Sequence, residues 1–314
     1  MKPLQDGGTI GVGAFASSYD MRSEVERGVE WWESRAYRVK LAPGVYARDD
    51  YVAGDPRSRA DDLHALFADP EVDVVQCFRG GYGSVQLVPL LDFDVVAASP
   101  KPFVGYSDIT VLHEAIRQRT GLATFYGPGL TGVGRADATE LTRTQLLTRL
   151  RGETGEVPRS PDDPYLRTIA GGRVTAPLVG GCLWLLQHTM GTPWEFQADG
   201  AILFVEDVRA FFWHVDGMLY QLAAAGKLDG VVGMVVGEFA SSDFPELRSD
   251  FPRVKSIEEV LENRLGPLGV PVLYGLPLGH GKHLATLPLG VTCTLDADAR
   301  TVTVDEPAVR TKSP

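Results

Sequence analysis

Lys101-Pro-Phe-Val-Gly-Tyr-Ser-Asp-Ile-Thr110 is the stretch from which the fold is read. Its first residues form a short apolar run, and Gly105-Tyr106-Ser107-Asp108 has the composition of a sharp turn. From Ile109 onward apolar residues recur at Val111, Leu112, Ala115 and Ile116, close to the 3.6-residue repeat of a helix. Gly121 stands where a left-handed residue ends such a helix, and Asp108 is the expected N-cap. Strand, tight turn and helix in this order place Ser107 on the turn. There a hydroxyl is exposed and helix N-terminal N–H groups are at hand for an oxyanion, as a nucleophilic serine needs. An ordinary strand-to-helix turn has the same outline, because Ile109 stands where the second glycine of G-x-S-x-G would be.

The same alternation extends outward. Thr9–Phe15 reads as a buried strand, 21–37 as a helix, 38–41 as a strand, 56–67 as a helix and Val72–Phe78 as a second apolar strand. Arg79-Gly-Gly-Tyr-Gly-Ser84 follows, then a short helix through Leu87, Leu90 and Leu91, and after the opening stretch a strand at 123–126. Strands and helices alternating at this spacing predict an α/β fold with a doubly wound parallel sheet. Ligands bind such sheets beyond the carboxyl ends of the strands. The Arg79 and Ser107 turns are therefore expected on one edge, sharing one crevice. A helix at 139–150 precedes a run rich in Gly, Pro and charge, 151–164, which reads as a linker. Beyond it the chain is richer in β-structure: strands at 173–179, 201–205 and 231–236, a hairpin of 292–295 with 301–304, and helices at 182–190, 215–225 and 256–265. The expected domains are 1–155 and 156–314.

At 314 residues the chain is long enough for two domains with ample core. A net charge of −11 argues against a general nucleic-acid or anionic-membrane binder. No stretch approaches the ~20 apolar residues of a membrane span, and the N-terminal residues lack the apolar core of a signal peptide. Cys77, Cys182 and Cys293 are sparse and widely spaced, which suits reduced thiols in the cytoplasm.

Several residues are candidates for chemistry. The Arg79-Gly80-Gly81-Tyr82 turn lacks the spacing of a nucleotide-binding loop. Gly80 and Gly81 can instead bring backbone N–H groups to a reacting carbonyl, beside that of Asp108. Arg79 can hold a carboxylate as a bidentate pair, and Tyr82 is a candidate substrate contact next to it. Of six histidines, His113 lies within the helix after Ser107, and His64, His188 and His214 lie in or beside helices. His280 sits in Leu276-Pro-Leu-Gly-His-Gly-Lys-His-Leu284, a glycine- and proline-framed loop able to aim a ring into a cleft. His283 is its neighbour, but no third metal ligand is close in sequence. A histidine base is usually oriented by a carboxylate. Glu206, at the end of the strand 201–205, suits that role, with Asp207 facing the other way. Spacing alone does not select these residues from the alternatives. Val179-Gly-Gly-Cys182 offers a rival nucleophile on a strand–turn–helix of its own.

The stretches Gly8-Thr-Ile-Gly11, Phe78-Arg-Gly-Gly-Tyr-Gly-Ser84, Pro102-Phe-Val-Gly-Tyr-Ser-Asp-Ile-Thr110, Phe125-Tyr-Gly-Pro128, Leu178-Val-Gly-Gly181, Leu203-Phe-Val-Glu-Asp-Val208 and Gly275-Leu-Pro-Leu-Gly-His280 carry a resemblance. In this order they are similar to the LD-carboxypeptidase (muramoyltetrapeptide carboxypeptidase) family of serine peptidases. That family includes a branch conferring self-immunity to microcin C. The resemblance implies a Rossmann-like N-terminal domain of class I amidotransferase type and a swivelling, β-rich α/β C-terminal domain. It implies a triad on Ser107, His280 and Glu206, no metal or other cofactor, and a homodimer. The implied activity is release of terminal D-Ala from cytoplasmic muropeptide tetrapeptides in peptidoglycan recycling. The other branch cuts a peptidyl-nucleotide amide. A Cys182-dependent amidohydrolase and an inactive muropeptide-binding protein are the further alternatives. Two departures stand out. Cys182 replaces the asparagine common after the second Gly-Gly, and Arg209-Ala-Phe-Phe-Trp-His-Val-Asp-Gly217 replaces a more polar run. Trp213 in that run is a candidate substrate contact, for instance by stacking on a base.

Overall fold

A computed structural model describes residues 1–19, 21–162, 166–240 and 255–310. These divide into two compact units, one made of Met1–Thr154, Ala285–Gly290 and the chain from Pro307, the other of Gly155–Leu284 and Val291–Glu306.

The first unit starts with β1 (Thr9–Gly13), buried at every residue, then α1 (Arg22–Glu33) and β2 (Arg38–Leu41). Next come α2 (Pro56–Ala68), whose N-cap Asp55 accepts from the Arg57 and Ser58 amides, and the buried β3 (Val74–Cys77). The helix expected through Leu87 and Leu91 is instead two 3-10 turns, Ser84–Gln86 and Val88–Leu90. Pro89 has no N–H to carry a helix onward. A helix resumes at α3 (Phe93–Ala98), followed by β4 (Phe103–Gly105), α4 (Thr110–Thr120) and β5 (Thr124–Tyr126). Gly121 closes α4 in the left-handed conformation, φ +69°. Two more helices, α5 (Leu130–Gly134) and α6 (Glu140–Leu150), complete this part. The strands β2, β1, β3, β4 and β5 are parallel neighbours in that order. The order reverses direction between β1 and β3, the mark of a doubly wound sheet. The turns after β3 and after β4 leave the carboxyl edge of this sheet, beside that reversal.

The second unit contains β6 (Gly155–Glu156), β7 (Arg167–Ala170), β8 (Arg173–Cys182), α7 (Leu183–His188), β9 (Ile202–Val208), α8 (Phe212–Ala224), β10 (Gly233–Ala240), α9 (Ile257–Leu265) and β11 (Val272–Tyr274). The stretch read as a linker contains β6, and its last residues, 163–164, lie outside the described residues. The chain then gives β12 (Leu287–Leu289) to the first unit. There it pairs antiparallel with β5 and covers that sheet edge. It returns for the hairpin of β13 (Thr292–Asp296) and β14 (Thr301–Val304). Among the described residues of the second unit, eight strands run β6-β14-β13-β8-β9-β10-β11-β7, with β8 to β11 parallel. The chain crossing back for β12 is what two contiguous domains, 1–155 and 156–314, do not include. The core beside this sheet gathers Leu183, Leu186, Leu203, Val205, Val215, Leu219, Met234 and Leu261 from β-strands and helices alike. Among the described residues, no helix is long and apolar enough to cross a membrane.

Candidate active site

In the first unit, Ser107 follows β4 on a left-handed residue, φ +64°. A non-glycine residue there is strained, at a cost on the order of 1–3 kcal/mol, and such strain concentrates at functional turns. Two hydrogen bonds hold it, and it is partly buried. The Ser107 amide donates to Tyr126 Oη at 3.0 Å, and Thr110 Oγ1 donates to the Ser107 carbonyl at 2.7 Å. Asp108 is not the N-cap of α4. A 3-10 turn over Ser107–Ile109 precedes the helix, and the Asp108 carboxylate accepts from the Ser84 amide at 2.8 Å. The reason is burial: Asp108 is 1% exposed, and the Ser84 N–H beside it needs an acceptor inside the protein.

The glycine turn does meet the serine turn. A Cβ placed on Gly80 would come within 2.9 Å of Ser107 Cβ and 3.0 Å of the Tyr106 carbonyl oxygen. Only a glycine allows this approach. Gly81 has φ +117° and lies against Ser17, whose hydroxyl accepts from the Tyr82 amide at 3.0 Å. Arg79 is half-buried at the start of this turn. The Tyr82 ring is 46% exposed and meets Tyr51 edge-on. His113, the histidine nearest in sequence, is occupied elsewhere. Its Nε2 bonds the Gly105 carbonyl oxygen at 2.9 Å, and complete burial pushes its pKa down to about 4.

In the second unit, Glu206 and His280 come together. His280 Nδ1 lies 2.7 Å from Glu206 Oε2, and the carboxylate is fully buried. Burial disfavours the imidazolium, but the Glu206 charge and hydrogen bond, with Asp207 behind them, outweigh it and raise the His280 pKa above 6.5. Glu206 lies within β9, paired in register with Cys182, and does not terminate the strand as expected. Asp207 does turn the other way. It accepts from the amides of Trp184 and Val208, and burial followed by the Glu206 charge pushes its pKa up to about 6. The His280 loop is shaped by what lies under its glycines. Gly279 has φ +108°, and a Cβ there would sit 2.1 Å from Glu206 Oε2. A Cβ on Gly281 would sit 1.2 Å from Glu238 Oε2.

The remaining candidates have other surroundings. Cys182 is buried, and burial, with Glu206 and Asp207 adding to it, pushes its thiol well up, the reverse of an activated thiolate. His283 Nε2 contacts Asp162 Oδ2 at 3.1 Å, and His64 Nε2 accepts from the Asp92 amide. Trp213 is half-buried in α8 and stacks flat on Phe211, centroids 4.5 Å apart. Sequence reasoning missed Tyr126, Ser84, Arg59 and Glu238. Only the glycines flanking His280 gave a visible signal of what surrounds it.

Comparison with known proteins finds relatives along most of the chain. Residues 10–127 match the LD-carboxypeptidase N-terminal domain and residues 175–295 the LD-carboxypeptidase C-terminal domain. The probable murein peptide carboxypeptidase of Bacillus subtilis (strain 168) is 36% identical over 305 residues, covering 97% of this chain and 93% of that protein. The solved muramoyltetrapeptide carboxypeptidase of Oxalobacter formigenes is 29% identical, with a TM-score of 0.83 over 96% of this chain and 100% of that one. The microcin C7 self-immunity protein MccF of Escherichia coli is 28% identical over 99% of this chain and 96% of that protein. A solved wild-type MccF structure aligns with a TM-score of 0.86 at 26% identity, over 98% of this chain and 99% of that one. The elbow serine, the glycine turn and the Glu–His pair thus stand in a chain that belongs to the LD-carboxypeptidase family.

Proposed function

We propose that this chain is a serine-type LD-carboxypeptidase that releases terminal D-Ala from tetrapeptide muropeptides, acting in the cytoplasm as a homodimer in peptidoglycan recycling. The buried Glu206–His280 pair is the observation that carries the reading, because a carboxylate on Nδ1 leaves Nε2 as the basic nitrogen. His280 takes the proton from Ser107 Oγ, which attacks the amide carbonyl carbon. The oxyanion is held by the N–H of Asp108 and that of Gly80 or Gly81. Collapse breaks the C–N bond, His280 gives its proton to the departing D-Ala amine, and an acyl-enzyme is left on Ser107. Water, with His280 again as base, hydrolyses the ester and restores Ser107. Arg79 binds the terminal carboxylate, and Tyr82 lines the same end of the substrate.

Mass spectrometry of tetrapeptide muropeptides incubated with the protein tests this. The expected result is loss of one D-Ala with the wild type and none with Ser107→Ala. Equal loss with both rejects Ser107 as the nucleophile. A second reading keeps the mechanism and changes the substrate to a peptidyl-nucleotide amide. It is favoured by the flat Phe211–Trp213 stack and by the likeness to MccF, whose structures include a complex with aspartyl sulfamoyl adenosine. Cleavage of such an adenosine conjugate without cleavage of muropeptides would select it.

A further inference from the structure

The peptide group joining Gly83 to Ser84 is gripped at both ends by buried side chains of opposite charge. Its oxygen accepts from Arg59 Nη1 at 3.0 Å, and its N–H donates to Asp108 Oδ2 at 2.8 Å. Ser84 Oγ adds a bond to the Asp108 carbonyl oxygen at 2.6 Å. Arg59 reaches in from α2 and is 1% exposed, as is Asp108. The rest of the guanidinium is spent on the Gly54 and Phe15 carbonyl oxygens and on Gln86 Oε1. Buried charges persist only where they are paired and hydrogen-bonded, so this arrangement holds a defined geometry.

The turn it holds is one that needs holding. Gly81 and Gly83 both have positive φ, and glycine populates either sign of φ with little preference. A peptide in such a turn can reverse its N–H and C=O directions at small cost. Gripping the Gly83–Ser84 peptide by its oxygen and its N–H fixes one of those directions. No side chain fits at Gly83, since a Cβ there would come 2.8 Å from Val52 Cγ1 and 3.0 Å from Arg59 Nη1. The anionic half of the grip belongs to the residue bonded to Ser107. Whatever fixes the glycine turn is therefore tied covalently to the elbow.

We propose that Arg59 and the Asp108 carboxylate are positioning residues that lock the Arg79–Ser84 turn, and with it the backbone oxyanion donor at Gly80 or Gly81, in register with Ser107. This rests on the serine mechanism proposed above. The experiment is steady-state kinetics on a tetrapeptide muropeptide for Arg59→Met, Arg59→Lys and Asp108→Asn, with Ser107→Ala alongside and circular dichroism on each. Loss of an oxyanion donor costs ~100- to 1,000-fold in rate, so Arg59→Met is expected to lower kcat by about 100-fold. KM should stay within about threefold, because the donor acts on the transition state and not on ground-state binding. Arg59→Lys should recover part of the loss. Asp108→Asn, which keeps an acceptor for the Ser84 amide without the charge, should fall between; these two variants carry the test where Arg59→Met fails to fold. Values of kcat near wild type in all folded variants, with Ser107→Ala inactive, overturn the proposal and leave the serine mechanism standing. Full activity of Ser107→Ala overturns both.

Discussion

Burial alone disfavours a charged imidazole, because the cation loses its water. At His280 the Glu206 carboxylate 2.7 Å away reverses that balance, and the folded pKa lies above 6.5. The sign of the linkage follows. Since the folded value is raised, the pair's contribution to stability is complete below the unfolded histidine value and is lost as pH rises through the folded one. In the proposed mechanism catalysis runs the opposite way, because there His280 must be neutral to accept the Ser107 proton. The rate should climb with pH along a limb set by this raised value. In Glu206→Gln the limb should move to lower pH, while the plateau kcat falls by ~10³- to 10⁴-fold as the imidazole loses its preferred tautomer. A pH–kcat profile of the two proteins checks both; a limb that stays in place separates Glu206 from the base. Ser107 was legible from sequence because a strand, a turn and a helix adjacent in the chain define its position. Arg59 was not. Nothing local marks an arginine on α2 as buried, since apart from Gly54 its partners, Phe15, Gly83 and Gln86, come from distant stretches.

The His280 loop takes its shape from β9 and β10, which run beneath it. The register of β10 against β9 shifts between Val236 and Phe239, and at this irregularity the Glu238 amide donates to the Leu278 carbonyl oxygen at 2.9 Å. Gly237 permits that approach, since a Cβ there would lie 2.3 Å from the same oxygen. Gly279 then passes directly over the Glu206 carboxylate. Gly279→Ala should therefore leave the far-ultraviolet circular dichroism intact but lower kcat by about 100-fold, the scale on which a 1 Å misplacement acts. A variant with wild-type kcat would show that the loop adjusts without moving the ring. At this scale the long apolar runs were readable: β1 and β3 are buried at every residue. The three-residue strands β11 and β12 were not: β4 and β5 are as short, but each is followed by a helix that marks its end, and neither β11 nor β12 is. The Asp108 cap was misread because its composition signal is shared with any buried carboxylate that finds another amide.

Across the whole molecule, the feature that composition could not disclose is the path of the chain from Ala285 to Glu306. The doubly wound order of the first sheet follows from alternating strands and helices. Its sixth strand comes from between the two chain segments of the second unit and covers β5 as an antiparallel edge. An exposed edge strand is a template for association with other chains. Residues 1–154 expressed alone should therefore be aggregation-prone by light scattering, while the full chain under the same conditions is not. A monodisperse, fully folded 1–154 fragment would show that β12 is dispensable. The same path has a consequence in time. Strands β1 to β5 emerge from a ribosome well before β12, with the whole stretch from Gly155 to Leu284 translated in between. At ~5–20 residues per second, the first sheet, whose β5 ends at Tyr126, waits roughly 8 to 33 s until β12 is complete at Leu289. For that interval the nascent chain carries an open β5 edge while its neighbours are still being made. The order of synthesis makes the N-terminal unit the first to begin folding and among the last to finish.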